Sequence, residues 1–469
     1  MIVFVPELYT LIAAGVFFAL SLASDNARRD FRLAFILAAV GLVLCVAWVG
    51  SRGILFAGTY QVDAFSQVFK CLLYMGFFLV VCLCERLDGV EARRHSEFYL
   101  LITLCTLALM LLVSCVHLLP LYIALELSSY SLYILVYLRK GYGKGIESAI
   151  KYFIIGATAS AVMLFGFALL YGTGQSGYLI DLIQELPARM SEPVVLIGFI
   201  LSLSGFFFKL ALLPFHFWAP DAYEGAPHQV AAYIATVSKA GAIAVLLRLI
   251  ALSGGSEQLA WFLIVLSIAS MTIGNLAAVV QKDLKRLLAF SSVAHAGYVM
   301  IGILSMNALG ISSAVFYALS LMIMKFACFM VVVKASNNGG NIEISDLAGL
   351  HQRAPMLALA LMLALFGLAG IPPTIGFTAK LLVFTAAMKT GLLWLVLVAM
   401  LNVVISLYYY LLVIKAAYFA TPSGDAPPIP VSTGLQVLAL ALILVMILGG
   451  IYPHHLIELA QTAASSIGY

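Results

Sequence analysis

Apolar residues fall along this chain in blocks of about twenty separated by short polar stretches, the length a helix needs to cross a bilayer and too long for a β-strand. Fourteen blocks are recognised, near residues 2–22, 32–50, 63–84, 97–115, 118–138, 147–171, 193–218, 228–252, 258–280, 286–306, 310–334, 355–389, 392–420 and 433–451. The twelfth is too long for one straight span and contains Gly370-Ile371-Pro372-Pro373, which no continuous helix accommodates, so it is expected to be broken. The first block carries Glu7 near its start and is long enough to span, so it reads as the first helix rather than a cleaved leader.

Composition narrows the class. Hydrophobic residues make up 64% and charged residues 10% of the 469 positions, which excludes a water-soluble domain and predicts an all-α polytopic membrane protein. The net charge of +4 reflects loop cations facing an anionic membrane surface. No basic run is long enough to engage nucleic acid. The seven cysteines (Cys45, Cys71, Cys82, Cys84, Cys105, Cys115 and Cys328) all lie in apolar segments and read as packing residues. Neither a Gly-x-Gly-x-x-Gly opening a helix after a strand nor a cysteine ladder is present, so no nicotinamide, flavin, iron–sulfur or metal site is expected in this chain.

Orientation follows from the loop cations, because short loops rich in Lys and Arg stay cytoplasmic. Arg28, Arg29 and Arg32 lie between helices one and two, Arg86, Arg93 and Arg94 between three and four, and Arg139, Lys140 and Lys144 between five and six. Lys282, Lys285 and Arg286 continue the series between nine and ten, and Lys334 and Arg353 between eleven and twelve. The alternate loops hold little beyond Arg52 and Arg189. Both termini are therefore expected on the non-cytoplasmic side.

Charges inside the apolar blocks point to function. Glu126, Lys151, Lys209, Lys239, Lys325 and Lys380 sit in stretches otherwise fit for hydrocarbon, where each charge costs a few kcal/mol or more and usually marks an ion or proton path. Helix seven places Lys209 five residues before Pro214; helix twelve places Lys380 after Gly370, Pro372 and Pro373. Two proline-interrupted helices, each with a lysine and five apart in the count, suggest a repeated half. Such breaks are tolerated at membrane depth where they line a cavity or the protein interior. Glu126 needs a cationic partner or must stay protonated, and Lys209 is the candidate partner. Lys239 lies among small residues (Ala235, Ala240, Gly241) that leave room for close helix approach and water, a setting in which a buried lysine exchanges its proton. His295 is an imidazole near a helix centre, fit either for a relay or for a hydrogen bond to a backbone carbonyl. Lys151 lies close enough to its helix start to snorkel, whereas Lys325 lies deeper. Lys70 and Lys415 read as interfacial snorkelling residues, and His454-His455 as a solvated pair in a short polar tail.

The stretch from Lys209 through Pro214, His216, Trp218, Pro220, Asp221, Tyr223, Glu224 and Gly225 to Pro227 resembles the Pro-Phe-His-x-Trp-x-Pro-Asp-x-Tyr-Glu-Gly-Ala-Pro signature of the antiporter-like subunits of respiratory complex I. Its wording is most similar to the N-type branch. Residues 147–157 and 370–380 are similar to that branch as well, and the resemblance runs from about 110 to 420. It implies fourteen helices with two inverted five-helix repeats, helices four to eight and nine to thirteen, and hence divisions at 1–96, 97–252, 258–420 and 421–469. It implies proton translocation through Glu126, Lys209, Lys239, His295 and Lys380, with Lys151 and Lys325 as further candidates and Pro214, Pro372 and Pro373 as the helix breaks.

The implied assembly is a bacterial inner-membrane NADH:quinone oxidoreductase with M-, K-, J-, A- and L-like partner subunits that hold the NADH, flavin, iron–sulfur and quinone sites. The chain is expected to lack the long lateral helix of the L type. Where the family usually has Thr-Pro after Gly-Ala-Pro, this chain has His228-Gln229, which bears on how helix eight begins. Mrp-type cation/proton antiporters, and membrane hydrogenases or dehydrogenases fed by ferredoxin or a deazaflavin, use similar subunits and are the alternatives.

Overall fold

The computed structural model describes residues 2–23, 25–141, 143–336, 338–421 and 427–467; the division expected at 421 adjoins residues outside that set. In chain order the helices are α1 (Val5–Ser21), α2 (Ala27–Ala47), α3 (Ala64–Cys82), α4 (His95–Ser114), α5 (Leu118–Tyr137), α6 (Gly145–Gly174), α7 (Leu179–Arg189), α8 (Pro193–Ser202), α9 (Ser204–Leu210), α10 (Trp218–Gly225), α11 (His228–Tyr233), α12 (Lys239–Ala251), α13 (Glu257–Val279), α14 (Leu284–Leu304), α15 (Ala308–Ala335), α16 (Leu350–Arg353), α17 (Pro355–Ala369), α18 (Ile375–Lys389), α19 (Leu393–Phe419), α20 (Thr433–Ile451) and α21 (His454–Ser465). Thirteen described helical segments are long and apolar enough to cross a membrane. The expected twelfth span is the exception: it divides into α17 and α18, 15 residues each.

Local chemistry explains where helices begin. Asp63 and Ser66 form a reciprocal capping box at α3, and the side chains of Asn26, Asp283 and Asn307 accept backbone N–H bonds at the starts of α2, α14 and α15. Pro193 and Pro355 open α8 and α17, where a missing N–H costs nothing.

Burial orders the bundle. The most apolar window of residues 228–251 is entirely inside the protein and α14 and α15 nearly so, whereas α2 buries 28% of its own. The centre is therefore built from α11, α12, α14 and α15, with α1 and α2 on the outside facing lipid or partners. Close approach is set by small residues: a Cβ on Gly376 of α18 would overlap the Gly367 carbonyl oxygen of α17, and one on Gly450 of α20 the Pro373 carbonyl.

The all-α membrane class holds, with one small addition: β1 (Gly53–Leu55) and β2 (Tyr60–Val62) form an antiparallel hairpin in register Gly53↔Val62. Two expectations change. His454 and His455 are solvated, but they open α21, a helix with one polar face whose apolar face lies on α3 and α15. Lys70 does not snorkel: it is fully buried and pairs with Glu7 at 2.6 Å, because the neighbouring α1 supplies a carboxylate that linear sequence does not place beside it.

Candidate functional site

Two helix breaks build the site. α9 stops at Leu210 because Ala211 takes a left-handed conformation (φ 58°); the chain turns through residues 212–217, with a cis Leu213–Pro214 bond, and restarts as α10. A helix end leaves its last carbonyls without intrahelical donors. Lys239 supplies one, its Nζ donating to the Leu210 carbonyl at 2.8 Å and to the Ser292 carbonyl of α14 at 3.2 Å. Lys239 follows a π-helical stretch, Ile234–Ser238, whose wider winding recurs at functional sites.

The second break repeats the device. α17 ends at Gly370 (φ 86°), a conformation glycine adopts at no steric cost, and α18 starts after the cis Pro372–Pro373 bond. Lys380 turns back onto the open end of α17, donating to the carbonyls of Leu368 at 2.8 Å and Ala369 at 2.9 Å. An ammonium at a helix C-terminus also meets the negative end of its dipole.

Between these lysines runs a chain of polar contacts. Lys325 donates to the Leu288 carbonyl at 2.8 Å and to Ser291 Oγ at 2.6 Å. Ser291 Oγ is 2.5 Å from the Tyr410 hydroxyl, which lies 3.3 Å from His295 Nε2; His295 Nδ1 lies 2.7 Å from the Tyr317 hydroxyl. Lys380 Nζ sits 4.9 Å over the Tyr298 ring, and the Tyr298 hydroxyl accepts from Asn275 Nδ2 at 3.2 Å. Ser291, His295 and Tyr298 are spaced four and three apart, so they share one face of α14.

Lys209, Lys239, Lys325 and Lys380 are all buried. Among the described residues none of the four has a carboxylate oxygen within 4.0 Å, so backbone carbonyls and hydroxyls surround them in place of counter-charges. The expected Glu126–Lys209 contact is not closed. Glu126 accepts instead from Ser160 Oγ, and Lys209 Nζ is buried without a hydrogen-bond partner among the described residues. The two remain within electrostatic reach.

The other expected residues separate. Lys325 joins the row as firmly as Lys239. Lys151 does not: it is half-exposed and pairs with Glu147 at 2.6 Å and Asp221 at 2.9 Å. Arg286 binds the same Asp221 at 2.9 Å and Glu224 at 2.6 Å. Burial alone would raise the Asp221 carboxyl, but the hydrogen bonds and charges of Lys151 and Arg286 outweigh it and hold that carboxyl below its ordinary range. His295 bonds two tyrosines rather than a backbone carbonyl. His228 Nε2 lies 3.0 Å from both Ser336 Oγ and the Gly340 carbonyl, and Gln229 Nε2 donates to the Leu83 and Arg86 carbonyls, so α11 starts regularly where the family wording differs.

Sequence reasoning missed Tyr298, Tyr317, Tyr410, Ser291 and Asn275, whose only signal is polarity on an inward helix face. It also took Lys285 as a loop cation, whereas Lys285 is fully buried and donates to the Glu224 and Ala226 carbonyls at the end of α10, at 2.8 and 2.9 Å.

Residues 115–406 match the family model described as NADH:quinone oxidoreductase/Mrp antiporter, transmembrane. The chain is 56% identical to NADH-quinone oxidoreductase subunit N 2 of Syntrophobacter fumaroxidans over 99% of both chains, and 42% identical to that of Opitutus terrae over 99% of this chain and 98% of that one. Among solved structures, a chain of respiratory complex I from Thermus thermophilus with bound aureothin is 33% identical with a TM-score of 0.85, covering 97% of this chain and 99% of that one. A chain of the Mrp complex from Dietzia is similar in fold, with a TM-score of 0.88, 22% identity and coverage of 99% and 97%.

Proposed function

Because the chain belongs to the antiporter-like membrane subunits of NADH:quinone oxidoreductase and Mrp complexes, and within them to the subunit N group, we propose that its row of buried lysines is the path by which it moves protons. It is a multi-pass, proton-translocating membrane-arm subunit of complex I, part of an oxidoreductase assembly and a partner of other complex I subunits. The observation that carries the path is the run of contacts Lys325–Ser291–Tyr410–His295, flanked by Lys239 on the open end of α9 and Lys380 on the open end of α17. Each step of the Lys325–His295 run offers a group that donates and accepts, or one that gains and loses a proton, within hydrogen-bond range of the next.

In this reading Glu126 and Lys209 form the input. Quinone reduction elsewhere in the complex changes the charge near Glu126, and a pair within electrostatic reach but out of contact has room to close or open in response. A change of charge on Lys209 then alters the energy of a proton on Lys239, and so along the row to Lys380. The chain itself performs no redox step; NADH, flavin, iron–sulfur clusters and quinone belong to partner subunits. The two halves, 97–252 and 258–420, act as inverted repeats, each with one broken helix, between an N-terminal unit (1–96) and a C-terminal one (421–469). The loop cations support both termini outside the cytoplasm, and the bacterial subunit N relatives support placement in the inner membrane. M-, K-, J-, A- and L-like subunits are the expected partners, reached on one side through the exposed face of α5 beside Glu126 and on another through an apolar groove of about 770 Å³ lined by Phe377, Lys380 and Val404.

The test is Lys209→Ala and Lys239→Met in the assembled complex in membrane vesicles, following electron transfer to quinone and proton uptake together. Loss of both activities with assembly intact supports the path. Wild-type values for both variants would falsify it and leave the family likeness as one of fold.

A further inference from the structure

A second pair of buried charges lies outside the lysine row, in the first three helices. Glu7, in the first turn of α1, and Lys70 of α3 are each fully buried and meet at 2.6 Å. The Tyr60 hydroxyl of β2 donates to the same Glu7 oxygen, Oε1, at 2.8 Å. Among the described residues the other oxygen, Oε2, is buried with no hydrogen-bond partner, and Lys70 Nζ adds to its one carboxylate contact only a place 5.1 Å over the Tyr60 ring.

A nearby pair serves as the comparison. Asp63 and Arg248 are also buried, but both carboxylate oxygens accept from Arg248 Nη2 at 2.8 Å, Asp63 Oδ1 accepts from the Ser66 N–H at 2.7 Å, and Arg248 Nε donates to the Val113 carbonyl at 3.2 Å. Burying two charges is offset only when their remaining valences are filled. Asp63–Arg248 comes closer to that condition, with both carboxylate oxygens filled and Arg248 also tied to a backbone carbonyl, and reads as a lock. Glu7–Lys70 is further from it, with one carboxylate oxygen unfilled and the ammonium held by a single carboxylate contact.

We propose that Glu7 and Lys70 form a second proton-exchanging site of this subunit, coupled to Lys239 through α12; the inference rests on the proton-path reading above. Moving one proton from Lys70 Nζ to Glu7 Oε1 converts the ion pair into two neutral groups with no other bond broken. The spare Oε2 is where a further proton or water enters. The connection is mechanical: α12 starts at Lys239 and carries, nine residues on, Arg248, which is fastened to Asp63 at the cap of α3, seven residues before Lys70. A shift of α12 on changing the charge of Lys239 is thus delivered to the helix that holds Lys70. The titratable groups facing the pair are Tyr60, Cys45 of α2, Cys71 of α3 and Cys115 after α4, with the Asp63–Arg248 pair behind Cys115.

The experiment uses the whole complex in vesicles and the double variant Glu7→Gln/Lys70→Met, which leaves no unpaired charge. Assembly is expected to persist while coupled proton translocation falls roughly tenfold or more. Wild-type translocation in the double variant overturns the proposal, because a merely structural pair tolerates neutral replacement. If the double variant does not assemble, turnover-induced infrared difference spectra of the wild type and Glu7→Asp decide: a protonated-carboxyl band that shifts in Glu7→Asp supports the site, and identical spectra overturn it. Lys239→Met run in parallel separates the two readings. If it blocks translocation and the double variant does not, only this inference falls; if Lys239→Met itself pumps normally, both fall.

Discussion

Ser291→Ala tests the row at its narrowest point without removing any charge. Ser291 Oγ is the group that touches both Lys325 (2.6 Å) and the Tyr410 hydroxyl (2.5 Å), and Tyr410 in turn reaches His295. The variant leaves Lys325 its bond to the Leu288 carbonyl and leaves His295 its bond to Tyr317, so the helices keep their other ties. What is lost is the contact with the Tyr410 hydroxyl together with one hydrogen bond to a charged donor, the latter worth about 1.5–3 kcal/mol. If that bond lies on the route, the same energy appears in the barrier for passing a proton from Lys325 towards His295, a slowing of roughly 10- to 100-fold. The assay is NADH-driven quinone reduction in inverted vesicles with a fluorescent ΔpH probe, normalised to assembled complex. Ser291→Thr, which keeps the hydroxyl, is expected to recover most of the rate. A Ser291→Ala complex that pumps within twofold of wild type would show that protons do not pass through this hydroxyl, and the link between Lys325 and His295 would have to be abandoned.

Further outcomes follow from the same contacts. Asp63→Asn leaves Arg248 buried against a weaker acceptor and is expected to cost about 3–5 kcal/mol, read as loss of assembled complex on native gels. Gly376→Ala drives a methyl group into the Gly367 carbonyl oxygen and is expected to cost about 1–3 kcal/mol and lower the melting temperature of the complex. Asp221, whose carboxyl is held below its ordinary range, stabilises the protein above the carboxylate's unfolded value, and that contribution is lost as pH falls through the folded one. The Tm difference between wild type and Asp221→Asn is therefore expected to be full at pH 7, worth about 1 kcal/mol or less for so exposed a group, to shrink once pH drops below about 4, and to vanish only below the folded value; a difference that is constant across that range refutes the assignment.

How much was legible in the sequence varies with the kind of feature. Spans, breaks and buried charges were readable because each depends on a local quantity: twenty apolar residues in a row, a proline without an N–H, or a charge whose neighbours along the chain are hydrocarbon. Lys239, Lys325, His295 and Lys380 were found that way, and the structure gathers them. Pairing was not readable. Glu7 and Lys70 lie 63 positions apart on two helices, and Lys70 looked like an interfacial residue until α1 was beside it. Lys285 looked like a loop cation until the end of α10 came to rest on its ammonium. Glu126 and Lys209 were matched by charge, yet Ser160 takes the carboxylate in this state.

The sequence by itself thus determined that this is a many-spanned membrane protein with charges at bilayer depth and two interrupted helices, since transfer from water to lipid is settled residue by residue. Only the tertiary structure decided which groups touch. That depends on the rotation and axial offset of each helix against its neighbours, set by small residues such as Gly367, Gly376 and Gly450 and by where Ala211 and Gly370 end their helices. A difference of one residue in rotation turns a side chain by about 100°, enough to move Ser291 or Tyr410 from the proton row to the lipid.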